Sequence, residues 1–165
     1  MKKLEIEIPF KSFKPKSFPV PVVTPVFSVD GQRIQIPCII DSGADFCTIP
    51  ISIGRGLGID FTKIAPNEIR KKWADLDGGN LEQTAILIKE IIERRLVVPT
   101  TYGCACGQIT EAYYYPATIE INDFKKEILI LWTPRDISPL FGRTYLFDSI
   151  QEITFKKGEK TIIKT

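Results

Sequence analysis

The stretch 38–50 constrains this chain most: it reads Cys-Ile-Ile-Asp-Ser-Gly-Ala-Asp-Phe-Cys-Thr-Ile-Pro. An apolar run, Cys38-Ile39-Ile40, leads into Asp41-Ser42-Gly43-Ala44-Asp45, and a second run, Cys47-Thr48-Ile49, leads out. β-Branched residues bounded by turn-formers make the first run a short buried strand. A carboxylate at the end of such a strand lies at the edge of an apolar core. Gly43 has no Cβ, so the backbone turns sharply there and a ligand can approach closely. Ser42 offers a hydroxyl that can hold the turn through a local hydrogen bond. The loop therefore presents a fixed, partly desolvated carboxylate beside accessible backbone.

The chemistry available to that carboxylate is narrowed by what the chain lacks. There is no histidine among the 165 residues, which removes Ser-His and Cys-His nucleophilic pairs and any histidine base. Of the four cysteines, Cys104 and Cys106 are closer together than zinc ligands usually stand, and no second pair completes a site. No metal and no cofactor are expected. A net charge of +2, with lysines scattered along the chain, makes no case for nucleic acid. No apolar run is long enough to span a bilayer. The N-terminus alternates charged and apolar residues where a secretory signal needs an apolar block. A cytoplasmic protein with reduced thiols is the expectation.

Along the chain, residues 3–8 alternate as a half-buried strand, and the proline- and lysine-rich stretch that follows reads as a connector. Strands are predicted over 22–29 and 32–40 around Asp30-Gly31, a strong hairpin signal. Pro50 opens a short helix weakened by Gly54 and Gly56. Residues 66–73 look helical, and Asn80 caps a helix to Leu96 whose apolar face carries Leu81, Ala85, Ile88, Ile91 and Ile92. β-Rich arms over 97–102 and 110–121 flank the small residues Gly103-Cys104-Ala105-Cys106-Gly107. A strand over 126–132, a helix over 143–150 and a hairpin of 152–155 with 161–163 complete the reading.

The 38–50 loop resembles the active-site loop of retroviral-type aspartic proteases, an apolar pair followed by Asp-Ser/Thr-Gly-Ala. Pro139-Leu140-Phe141-Gly142-Arg143-Thr144 is similar to that family's apolar-apolar-Gly-Arg segment, which a short helix follows. The 102–107 stretch and the strand after it resemble its glycine-bearing flap hairpin. The resemblance runs from about residue 19 to the C-terminus, interrupted by a helical insertion at about 61–97. It implies a mainly β, retropepsin-like closed barrel with that insertion and a short C-terminal helix. Residues 1–18 would then form an N-terminal strand and connector, and 19–165 a single domain.

The same resemblance implies roles. Asp41 is the catalytic carboxylate, supported by Ser42, Gly43 and Ala44, with Ser42 locking two paired loops across a two-fold axis. Gly43, Asp45 and Phe46 would meet substrate, Cys104, Ala105 and Cys106 would cover it as a flap, and Leu140 and Phe141 would line another pocket. Asp45 would pair with Arg143. Aspartic proteases are known to work with two carboxylates that share a proton, and this chain holds one Asp-Ser-Gly-Ala. Asp77-Gly78-Gly79 follows no apolar strand, and Asp148-Ser149-Ile150 lacks the glycine. The second carboxylate would come from a second copy of Asp41 in a homodimer, acting on a peptide or protein substrate. The viral enzymes interleave short C-terminal strands between subunits, whereas this chain ends in its own hairpin, so its dimer contact would be built differently. Two further readings stand beside the peptidase: a catalytically idle retropepsin-like domain that binds a peptide or only dimerises, and a small mixed β protein with a coincidental turn. The intact Asp-Ser-Gly-Ala favours the peptidase, because a binding module has no physical need for an acid there.

Overall fold

Asp30 and Gly31 both adopt positive φ, 47° and 86°, the backbone of a tight primed turn. Around it β3 (Val26–Val29) and β4 (Gln32–Gln35) pair antiparallel, Val29 opposite Gln32. This computed structural model describes residues 5–11, 20–76, 81–103, 107–143, 152–156 and 159–164. The two strands expected over 22–29 and 32–40 are each divided, because Pro25 and Pro37 offer no N–H to a ladder. The same register nevertheless resumes beyond the break, where β2 (Val20–Val23) pairs with β5 (Cys38–Ile40), Val22 opposite Ile39.

That broken hairpin closes the sheet. The strand order runs β2-β5-β10-β6-β9-β8-β3, with β6 at Thr48–Pro50, β8 at Ile109–Ile121, β9 at Phe124–Thr133 and β10 at Leu140–Phe141. Only Thr24 and Pro25 separate β2 from β3 in the chain, so the sheet curls until its two flanks meet. β7 (Val98–Gly103) adds to β8 as a hairpin. β1 (Glu5–Lys11) joins β2 and also pairs with β12 (Lys160–Lys164), which pairs in turn with β11 (Glu152–Lys156).

Apolar alternation along β8 and β9 builds two cores. Tyr115, Ala117, Ile119, Ile128, Ile130 and Trp132 fill the barrel with Phe27, Ile49 and Phe141. Ala112, Tyr114, Leu129 and Leu131 point the other way and are covered by α2 (Asn67–Ala74) and α3 (Leu81–Glu93) through Ile69, Leu87, Ile88 and Ile91. Burial on both faces explains the unbroken run Ile128-Leu129-Ile130-Leu131-Trp132. Of the expected α3 face, Ile88 and Ile91 are buried and Ile92 is half-buried, but Leu87 is also inside and Ala85 is exposed, because the face that meets β8 and β9 is turned slightly from the expected stripe. The helix also stops short of Leu96. Arg95 takes φ 50° and pairs with Asp30 and Glu127, both at 2.9 Å, with its guanidinium 5.5 Å from the Tyr115 ring centroid. Of the connector expected over 11–21, Lys11 belongs to β1 and Val20 and Pro21 to β2, because the chain pairs at both ends of the stretch. Its residues 12–19, the Asn80 cap and the helix expected over 143–150, beyond Arg143, lie outside the described residues. No helix among the described residues is long and apolar enough to cross a membrane.

The two glycines of α1 (Ile51–Gly56) differ in kind. A Cβ on Gly54 would stand 2.8 Å from both Phe61 and Trp132, whereas one on Gly56 would meet nothing within 4 Å. Gly54 is thus a packing requirement. Gly54→Ala is expected to destabilise by about 1–3 kcal/mol through overpacking. Gly56→Ala is expected to be neutral or to stabilise by about 0.5–1 kcal/mol. Urea titration of the two variants checks the contrast, and equal midpoints would contradict it.

Candidate active site

The site is assembled by a two-residue strand from far down the chain. β10 slots between β5 and β6, parallel to the first (Leu140 opposite Ile39) and antiparallel to the second (Leu140 opposite Thr48). Ile39 N–H donates to the Pro139 carbonyl at 2.9 Å, Asp41 N–H to Phe141 at 3.1 Å, and Arg143 N–H to Ala44 at 2.9 Å. The loop carrying Asp41 is therefore fastened along its length by backbone bonds to 139–143. Gly142 makes this possible, since a Cβ there would drive into the Phe46 carbonyl group and the Ala44 oxygen.

Asp41 is half-buried at the end of β5, and its Oδ1 accepts from Gly43 N–H at 2.9 Å. Ala44 N–H donates to the Asp41 carbonyl at 3.2 Å. The turn is held by the aspartate itself, an Asx-type closure, and Ser42 is exposed at the loop tip. Gly43 does not take a left-handed backbone; its contribution is space, because a Cβ would come within 3.2 Å of Asp41 Oδ1.

A cleft of about 470 Å³ opens beside Asp41. Gly43, Ala44, Asp45, Phe46 and Leu140 line it together with Thr101, Tyr102 and Gly103 of β7, Tyr114 of β8 and Leu131 of β9. Phe141, expected to line a pocket, has no exposed surface and lies in the barrel core. Successive residues of a strand face opposite ways, so Leu140 goes to the cleft and Phe141 inward. Cys104, Ala105 and Cys106 lie outside the described residues. Their flanking arms pair in register, Gly103 opposite Ile109, and Gly107 takes φ 78°. Arg135 reaches this hairpin from beyond β9, donating to Gln108 Oε1 at 3.0 Å. The sequence motifs contain Tyr102 and Gly142 without giving either a place at the site, and give no sign of Tyr114 and Leu131. Pairing the arms around 104–108 would have placed Tyr102 at the cleft, and the β8 alternation would have placed Tyr114 on the face away from the barrel.

Arg143 donates to Asp45 Oδ1 through Nε at 3.0 Å and Nη2 at 2.7 Å. The side chains are 56% and 63% exposed, respectively. An ion pair so open to water is worth about 0–1 kcal/mol. Asp45→Asn is therefore expected to shift the melting temperature by no more than about 4 °C; a larger drop in a thermal melt would mean the pair carries more than its exposure allows.

Beneath the loop, burial pushes the Cys47 thiol up to about 12, opposed by the Gly142 backbone hydrogen bond, and raises Cys38 well above its ordinary value. The sign follows directly. Between 9.0 and about 12 the folded chain keeps a Cys47 proton that the unfolded chain has released. The stabilisation is complete below pH 9 and is lost as pH rises, by roughly 1.4 kcal/mol per unit for this thiol. From about pH 9 to about pH 11 the urea midpoint is expected to fall less in Cys47→Ala than in the wild type, and parallel falls would acquit the thiol. Among the described residues no three His, Cys, Asp or Glu side chains converge as a metal site would.

No family model matches the chain, and no curated protein matches it in sequence. Solved structures do match. One is a retropepsin-like aspartic protease from Rickettsia conorii, 16% identical, with a TM-score of 0.58 over 99% of this chain and 92% of that one. The fold is therefore retropepsin-like and mainly β, as the loop motifs implied.

Proposed function

We propose that this chain is an aspartic endopeptidase active as a homodimer, each copy supplying one Asp41. The observation that carries the reading is the mounting of Asp41: half-buried, lining a cleft with both polar and apolar walls, on a loop fastened by backbone bonds to 139–143. A preorganised carboxylate beside open backbone suits general acid–base work. In a two-fold pair, one Asp41 takes a proton from the attacking water. The other, protonated, donates to the scissile carbonyl oxygen and stabilises the charge that develops on it. Gly43 leaves the substrate main chain room to lie against the loop, and the β7–β8 hairpin covers it. Peptides in extended form are the substrates such a cleft fits.

One observation favours the second reading in its peptide-binding form, without catalysis. β12 is already paired on both sides, by β1 and β11 of its own chain, and is not free to interleave with a partner's strands. A dimer contact must then come from other surfaces. Incubation with a diverse peptide library from mild acid to neutral pH, with the association state measured by sedimentation in the same buffers, decides between them. Cleavage by a dimer supports the peptidase; a well-formed dimer that cuts nothing overturns it.

A further inference from the structure

The helical segment is not accounted for by the active-site motifs, yet it reaches the cleft wall. Tyr114, 9% exposed, lines the cleft from β8. Its ring centroid stands 4.8 Å from that of Phe46, on the Asp41 loop, at an interplanar angle of 57°. It stands 4.9 Å from that of Trp73, on α2, at 56°. Both separations are those of tilted aromatic rings in contact. Trp73 itself does not line the cleft. One wall residue is therefore shared between the Asp41 loop and α2, and the position of its ring depends on both neighbours.

We propose that Trp73 is a positioning residue for side-chain selection. By seating Tyr114 against Phe46 it fixes the wall of an apolar subsite, completed by Leu131 and Leu140, that takes one large apolar side chain of a bound peptide. The proposal rests on the peptide-cleaving reading for its substrate. Removing the half-buried indole takes away the ring that stands against Tyr114 on its α2 side, at the edge of the layer formed by Ile69 and Leu87. The ring then has space to withdraw, and the wall loses its fixed depth. A pocket of fixed depth distinguishes apolar side chains by size, roughly tenfold or more for a few methylene groups; one of variable depth does not.

The test uses a randomised octapeptide library in two arms. In the first, wild-type protein, Trp73→Ala and Trp73→Phe cleave the library and the products are sequenced. In the second, the library is captured on immobilised Asp41→Asn and on Asp41→Asn/Trp73→Ala. The expected result is a preference for leucine and phenylalanine over alanine at one position that falls about tenfold with Trp73→Ala and returns with Trp73→Phe. A uniform loss across all peptides means Trp73 is only structural and overturns the proposal. So does cleavage with an unchanged preference, which leaves the peptidase reading standing. No cleavage, but captured peptides whose preference Trp73→Ala flattens, removes the peptidase reading and keeps the subsite. No preference in either arm removes the subsite.

Discussion

Asp41→Asn is expected to abolish peptide cleavage, lowering turnover by at least about 10²–10⁴-fold, while the fold and the association state stay as they are. Asparagine keeps a carbonyl oxygen where Asp41 Oδ1 now accepts from Gly43 N–H, so the turn survives and only the ionisable group is lost. Asp41→Ala would remove the turn bond as well, and is the less informative variant. A shared site makes a further demand. When wild type is mixed with excess Asp41→Asn and allowed to exchange subunits, nearly every wild-type copy meets an inert partner, and activity per wild-type copy collapses. Activity that simply dilutes in proportion would mean that each chain works alone. Cleavage that persists undiminished in Asp41→Asn would show that the acid is not the catalyst.

The largest effect on stability is expected at Gly142→Ala. The new methyl group would enter space held by the backbone of Phe46 and Ala44, atoms that cannot rotate away as a side chain can. Either the 44–46 backbone moves, which breaks the bond from Arg143 N–H to Ala44, or β10 withdraws from between β5 and β6. We expect a loss of about 3 kcal/mol or more, hence a melting temperature lower by roughly 10 °C, with loss of cleavage even where the protein still folds. A thermal melt measures the first effect. Gly56→Ala serves as the control, since its Cβ meets nothing within 4 Å. A Gly142→Ala protein as stable as wild type would mean the three strands tolerate the methyl group, contrary to their spacing.

Gly43 and Gly142 lie in the two motifs by which the fold could be read from the sequence. Asp41-Ser42-Gly43-Ala44 between apolar runs, and Leu140-Phe141-Gly142-Arg143 downstream, were enough to indicate a retropepsin-like fold. Short motifs report local geometry, and that is what they gave. Pairing partners were harder, because Pro25 and Pro37 divide two strands without changing register, and a pattern of apolar residues does not show where a ladder is interrupted. The exact faces were harder still. Phe141 and Leu140 are both apolar, and only the pairing of β10 decides which one faces the cleft. Tyr114 looked like any aromatic strand residue until α2 and α3 were placed against it. Nothing in the chain around Asn67–Ala74 resembles an active-site motif, so its contact with the cleft wall was not legible.

The position of β10 also bears on how the protein comes into being. Asp41 finds its backbone acceptor on Phe141, about a hundred positions later in the chain. Contacts so distant in sequence form slowly, because the entropy of closing a long loop is lost before any bond compensates for it. During synthesis Asp41 emerges early, but the segment that fastens its loop follows only when most of the chain has been made. The order of translation thus separates the appearance of the acid from the assembly of its mounting, and a ribosome-bound chain that stops before residue 139 carries the carboxylate without the anchor.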